Sequence, residues 1–284
     1  MASTGAHIDS MITGVNRTVA VVFDFEKKWL SETEPSFMNW MLKNWTMCFI
    51  YSLVYIAIVH CGRMYMENRP RYELRPALTM WSAILGAFSL MGAIRTWPEL
   101  IYSIYEHGVQ HSVCSPSYFY DPVTAFWSFM FTVSKVYELG DTMFIVLRKQ
   151  QLIFLHWYHH VTVLIYVWYS YTERTAPGRW FMVMNYTVHA FMYTYYALRA
   201  MRVRIPKWVN IFITAMQLSQ MIIGCTLNVW IYQIKERGET CHQSNENLQY
   251  SFVMYMSYFG LFAHFFYTTY MVKKEPTDSK IKSS

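Results

Sequence analysis

Long apolar runs alternate with short polar connections along the chain. Seven runs stand out, near residues 45–64, 77–94, 122–147, 152–171, 180–199, 208–232 and 248–271. Each is near the ~20 residues that a helix needs to cross a bilayer core. Trp and Tyr crowd many of the ends, as interface anchors do. Residues 1–20 are polar or mixed, and residues 21–45 form an amphipathic stretch rich in Phe and Trp, suited to the plane of a membrane interface. The pattern predicts an all-α polytopic membrane protein with seven transmembrane helices. Residues 1–44 form an N-terminal segment, 45–271 the membrane domain and 272–284 a tail.

Composition agrees. Of 284 residues, 54% are hydrophobic, 19% aromatic and only 15% charged, against ~25% charged in soluble domains. That excludes an ordinary soluble fold. The first 20 residues lack the apolar core of a signal peptide, so the first spanning run is expected to serve as the insertion signal.

Charge sets the orientation. Fourteen of the 24 Lys and Arg fall in segments 63–75, 148–149 and 199–207 and after residue 271, and eight fall on the opposite side. The positive-inside rule makes the richer side cytosolic. The N-terminus is then lumenal and the C-terminus cytosolic, which requires an odd number of spans. Lys280 and Lys282, third and fifth from the end, match a dilysine retrieval signal to the endoplasmic reticulum. Cys114 and Cys241 fall in expected lumenal loops, an oxidising compartment, and are the candidate disulfide. Cys48, Cys61 and Cys225 lie in apolar runs as packing residues. Of three glycosylation sequons, Asn16 is on the lumenal segment, Asn44 abuts the membrane and Asn185 is inside a spanning run.

The candidate chemistry is intramembrane. FLHWYHHVTVLIY carries His156, His159 and His160 at i, i+3 and i+4, one helical face. Ionisable groups at membrane depth are costly, so three on one stripe mark a functional site. The third run carries Lys135, Glu138, Asp141 and Thr142 on one face. The short connection 148–151 makes the third and fourth runs antiparallel neighbours, with both stripes at similar depth. Asn185, His189, Tyr193 and Tyr196 form a further stripe, and Thr214, Gln217 and Gln220 a weaker one.

HWYHH, KxxELGDT, NxxxHxxMYxYY and TxxQxxQ, in this order, resemble the motifs of the very-long-chain fatty acid elongases, and the resemblance runs from about Phe23 through the seventh run. Trp157 and the preceding LRKQ are most similar to the type 6 branch, which extends C12–C16 saturated and monounsaturated acyl chains, with the type 3 branch close by. The resemblance implies an acyltransferase of the endoplasmic reticulum membrane. Acyl-CoA and malonyl-CoA would give 3-oxoacyl-CoA, CO2 and CoA in a tunnel enclosed by the seven helices, without cofactor or metal. It implies His159 as nucleophile, His156 and His160 orienting it or moving protons, and Asp141 and Glu138 as supporting carboxylates. Asn185 and His189 would donate to the enolate left by decarboxylation. Direct attack by that enolate, with histidine acting only as base, remains the competing route.

CoA phosphates are expected at the basic cytosolic face, where Arg148, Lys149, Arg199, Arg202, Arg204 and Lys207 are candidates. Lys135, Tyr193, Tyr196, Gln217 and Gln220 complete the substrate-binding set. Implied partners are membrane lipid, the 3-oxoacyl-CoA reductase, the dehydratase and the enoyl reductase of the elongation cycle, and a second copy in a homodimer; no nucleic acid is expected. Two other classes fit parts of the pattern. HxxHH is also a box of membrane di-iron desaturases and hydroxylases, but those need about eight histidines. Here His107 and His111 fall across the membrane from the box, and the rest are scattered. A seven-helix receptor or transporter fits the span count, without the internal repeats or broken helices of transporters.

Overall fold

A computed structural model of the protein describes residues 21–272, and among them every regular element is helical. The short helices α1 (Asp24–Lys28) and α2 (Glu34–Asn44) are joined by a π-helical turn. Then follow α3 (Met47–Met66), α4 (Arg75–Cys114), α5 (Pro122–Glu138), α6 (Asp141–Leu147), α7 (Phe154–Thr172), α8 (Gly178–Ala200), α9 (Lys207–Glu236) and α10 (Asn245–Phe266). Each of the seven apolar runs is therefore helical, the third as the pair α5–α6. By length and composition, α3, α4 and α9 are long and apolar enough to cross a membrane. α5 and α6, of 17 and 7 residues, are individually too short for that measure. Asn16, Lys280 and Lys282 lie outside the described residues.

The helix starts follow local chemistry. Pro122 opens α5 and the Asp121 carboxylate accepts from the Thr124 amide at 3.0 Å. Ser244 caps α10 in the same way. Such caps satisfy amides that lack an intrahelical acceptor.

Several expectations need correction. The second run does not end near Ile94: α4 continues to Cys114, interrupted at Gly108, whose φ is 86°. His107 and His111, expected in a loop, stand on its last turns. The extension is stabilised by burial of Leu100, Ser103, Ser112 and Val113. The α1–α2 stretch is also more than an interfacial helix. Trp29 stacks on Phe129 with ring centroids 3.9 Å apart. Glu26, wholly buried, accepts from Arg95 at 2.5 and 3.1 Å and from the Trp127 indole at 3.1 Å. A buried carboxylate persists only when paired in this way.

α4 and α8 form the closest helix pair. A Cβ on Gly92 would meet the Tyr186 ring at 2.5 Å, so glycine is what permits this approach. Arg179, one of the eight Lys and Arg counted on the lumenal side, is fully buried. It pairs with Glu99 at 3.0 Å and donates to Ser103 Oγ at 2.7 Å and the Ser112 carbonyl at 3.1 Å. A disulfide joins Cys114, at the end of α4, to Cys241, between α9 and α10. Cys48 is buried, Cys225 half-buried, and Cys61 exposed on the bundle surface, so Cys61 is not a packing residue.

Candidate active site

A cavity of about 500 Å³ lies between α4, α6, α7, α8, α9 and α10. α7 lends His156, His159 and His160; α8 lends Asn185, His189, Tyr193 and Tyr196; α9 lends Gln217 and Gln220; α6 lends Asp141. Arg148 and Arg199 line it as well. From Asn185 to Arg199 along α8 is fourteen residues, about 21 Å of helix at ~1.5 Å per residue. The cavity is thus long, with histidines towards one end and guanidinium groups at the other.

The histidines differ in their partners. His156 Nε2 is 2.9 Å from Thr142 Oγ1. His189 Nε2 is 3.1 Å from Asn185 Nδ2. Lys135 Nζ donates to Asn185 Oδ1 at 2.9 Å and to Glu138 Oε1 at 2.7 Å. That fixes the Asn185 amide, so its N–H donates to His189 Nε2 and a neutral His189 carries its proton on Nδ1. Nδ1 is 3.9 Å from Glu138 Oε2. His160 is buried, and its Nδ1 has no hydrogen-bond partner among the described residues. His159 lines the cavity, packs on Tyr258 at 4.9 Å between centroids, and has no ring hydrogen bond among the described residues.

The carboxylates take different places from those the sequence suggests. Asp141 meets no box histidine: it accepts from the Trp81 indole and the Tyr193 hydroxyl, each at 2.6 Å. The break between α5 and α6 turns it away from the Lys135–Glu138 face and towards α4. Glu138 supports His189 and Lys135 rather than the box. In this arrangement His189 Nε2 accepts from Asn185, so the donor that Asn185 retains is its second N–H. Lys135 lies behind the wall, fully buried in its ion pair. Lys149 is drawn off to the Glu67 and Arg69 carbonyls, both at 3.0 Å, and Arg204 and Lys207 do not line the cavity.

Sequence reading missed Trp81 and Tyr55. Neither lies in a charged stripe, and each reaches the site through a single polar atom. Gly140, inside KxxELGDT, was the signal for Trp81: a Cβ there would come within 2.8 Å of the indole ring. Gly140→Ala therefore displaces Trp81 and weakens its bond to Asp141. The expected result is a roughly tenfold fall in turnover with little change in melting temperature, the scale of lost site support; Gly140→Ala with wild-type turnover would remove Trp81 from the site. Among the described residues, no group of three or more His, Cys, Asp or Glu is placed to share a metal ion.

Comparison with known proteins gives the context for this arrangement. Residues 40–278 match the family model described as ELO, GNS1/SUR4 family. The chain is 51% identical to a Drosophila melanogaster protein named very long chain fatty acid elongase 6, over 92% of this chain and 83% of that one. It is 45% identical to the Homo sapiens protein of the same name, over 90% and 95%. It is 42% identical to the Homo sapiens very long chain fatty acid elongase 3, over 83% and 87%. With this extent of match across the histidine box and the helices that surround it, the chain belongs to the GNS1/SUR4 family.

Proposed function

We propose that this protein is the condensing enzyme of very-long-chain fatty acid elongation, a 3-oxoacyl-CoA synthase of the endoplasmic reticulum membrane. It spans the bilayer seven times, with the N-terminus lumenal and the C-terminus cytosolic. The chain extended is C12–C16 saturated or monounsaturated acyl-CoA, as the resemblance of the motifs to the type 6 branch implies, with malonyl-CoA as the two-carbon donor.

The observation that carries this reading is His159: an imidazole with no hydrogen bond among the described residues, on the wall of a cavity whose opposite end holds Arg148 and Arg199. A free imidazole nitrogen can attack a thioester carbonyl, while guanidinium groups suit CoA phosphates. In the first half-reaction the N–C bond forms and the C–S bond breaks. The imidazole proton goes to the departing thiolate, giving acyl-His159 and CoA. In the second, malonyl-CoA loses CO2 and its enolate carbon attacks the acyl carbonyl. The C–N bond breaks and one proton is taken up at the imidazole, giving 3-oxoacyl-CoA. Asn185 supplies an N–H to the enolate oxygen. The acyl chain runs past the histidines towards the lumenal half, between the aromatic-rich helices. The reductase, dehydratase and enoyl reductase that complete the cycle are the expected partners.

The test uses purified protein and palmitoyl-CoA alone, with free CoA and intact protein mass as readouts. Release of CoA with an acyl-sized mass gain is expected, followed by 3-oxo product once malonyl-CoA is added. Product formed without prior release or adduct would replace the covalent route with direct enolate attack. No product across C12 to C18 would overturn the reading.

A further inference from the structure

Among the described residues, Tyr55 is the one polar contact through which α3 reaches the histidine box. Its side chain is buried among Val59, Met66 and Val146. Its hydroxyl lies 2.7 Å from Thr142 Oγ1, which in turn lies 2.9 Å from His156 Nε2. Thr142 is fully buried. Among the described residues, the Tyr55 hydroxyl has no other partner, and Thr142 Oγ1 has only these two.

That three-membered chain can be hydrogen-bonded in two directions; the remaining arrangement, with Tyr55 and His156 both donating to Thr142 Oγ1, leaves the buried Thr142 proton without an acceptor and carries the same penalty as the first direction below. If His156 Nε2–H donates to Thr142, then Thr142 donates to Tyr55, and the phenolic proton is left in an apolar pocket with no acceptor. A buried unsatisfied donor costs about 1–3 kcal/mol. If Tyr55 donates to Thr142 and Thr142 donates to His156, both hydroxyl protons have acceptors, and the remaining imidazole proton, on Nδ1, belongs to a ring that lines the cavity. The second direction wins, and it makes His156 Nε2 an acceptor. A neutral imidazole with Nε2 accepting carries its proton on Nδ1.

We infer that Tyr55 is a positioning residue which, through Thr142, holds His156 as the Nδ1–H tautomer. His156 is then a hydrogen-bond donor and not a base. This divides the labour in the box: His156 lends an N–H to the thioester or the departing thiolate, and His159 keeps the free nitrogen that attacks. The inference rests on the condensing-enzyme reading for its catalytic meaning, though the tautomer itself does not.

The experiment compares Tyr55→Phe, Thr142→Val, Thr142→Ser and the Tyr55→Phe/Thr142→Val double variant with wild type, all as full chains in detergent. Acyl-CoA-dependent CoA release is measured, together with the imidazole nitrogen-15 shifts of His156, identified by their loss in His156→Gln. Tyr55→Phe is expected to lower kcat about tenfold with KM within about twofold, and Thr142→Val about a hundredfold, within the range of a misplaced proton donor. Thr142→Ser restores most of the rate. The double variant is no slower than Thr142→Val, because Tyr55 acts only through Thr142. The wild-type shifts are expected to show protonated Nδ1, and Tyr55→Phe a mixture of tautomers. Wild-type kcat in Tyr55→Phe, additive losses in the double variant, or a wild-type His156 protonated on Nε2 would each overturn the proposal. If wild type makes no 3-oxo product, the functional reading fails, and the nitrogen shifts still decide the tautomer.

Discussion

His159→Ala is expected to release no CoA from palmitoyl-CoA and to gain no acyl mass, with overall elongation reduced on the order of 10⁴-fold or more, as when a covalent nucleophile is removed. The expectation is specific to this histidine. His156 and His189 each have one ring nitrogen engaged, by Thr142 and Asn185, and His160 is buried. Of the two that line the cavity with no ring hydrogen bond among the described residues, His159 is the more accessible and His160 is the one packed into the wall. Because that ring makes no hydrogen bond among the described residues, its removal should leave the melting temperature within a few degrees of wild type. Continued acylation in His159→Ala would move the nucleophile to another residue. A lost adduct with preserved 3-oxo product would leave direct enolate attack as the route.

Arg179→Met is expected to be the most destabilising single change at the disulfide end of the bundle, costing about 3–5 kcal/mol. It strands Glu99, buried beside it at 3.0 Å, and removes the donors to Ser103 and the Ser112 carbonyl. The measurement is thermal unfolding in detergent. Arg179→Met combined with Glu99→Gln should recover part of the loss, since the uncompensated charge is then gone. If the single variant unfolds at the wild-type temperature, the buried pair is not what holds α4 to α8 at that end. Arg179 does not line the cavity, so turnover per folded molecule should change little.

Much of this architecture was legible in the sequence because it rests on local periodicity. Apolar runs of bilayer length become helices whatever their neighbours do, since backbone groups at membrane depth have no other partner. The i, i+3, i+4 spacing of His156, His159 and His160 put them on one face before any packing was known. The tight connection at 148–151 likewise made Thr142 and His156 neighbours across two helices, as their 2.9 Å contact shows. Lys135, Glu138 and Asp141 looked equivalent by the same logic and were not. The turn at Leu139–Gly140 starts a new helix, so Asp141 faces Trp81 and Tyr193 while Glu138 faces Lys135 and His189.

The basic residues show the same divide. Positive-inside counting identifies a basic side, because it depends only on which loops hold Lys and Arg. It does not tell a cavity residue such as Arg148 from Lys149 beside it, whose backbone φ of 52° turns the chain and whose ammonium is spent on two carbonyls. Nor does it reveal that Arg179 is interior, since burial of a cation depends on a partner, Glu99, eighty positions earlier.

By itself, then, the sequence determined the helical class, the membrane-suited runs, the family motifs and the stripe on which each histidine stands. These follow from composition and from periods of three or four residues. Only the tertiary structure decided which partner each polar atom takes: Trp81 on Asp141, Tyr55 on Thr142, Lys135 on Asn185, and, among the described residues, none on the His159 ring. Those choices depend on which helices meet and how closely. Close approach is set in turn by such details as the missing side chains at Gly92 and Gly140. No local period encodes that information, because it belongs to pairs of residues 50 to 90 positions apart.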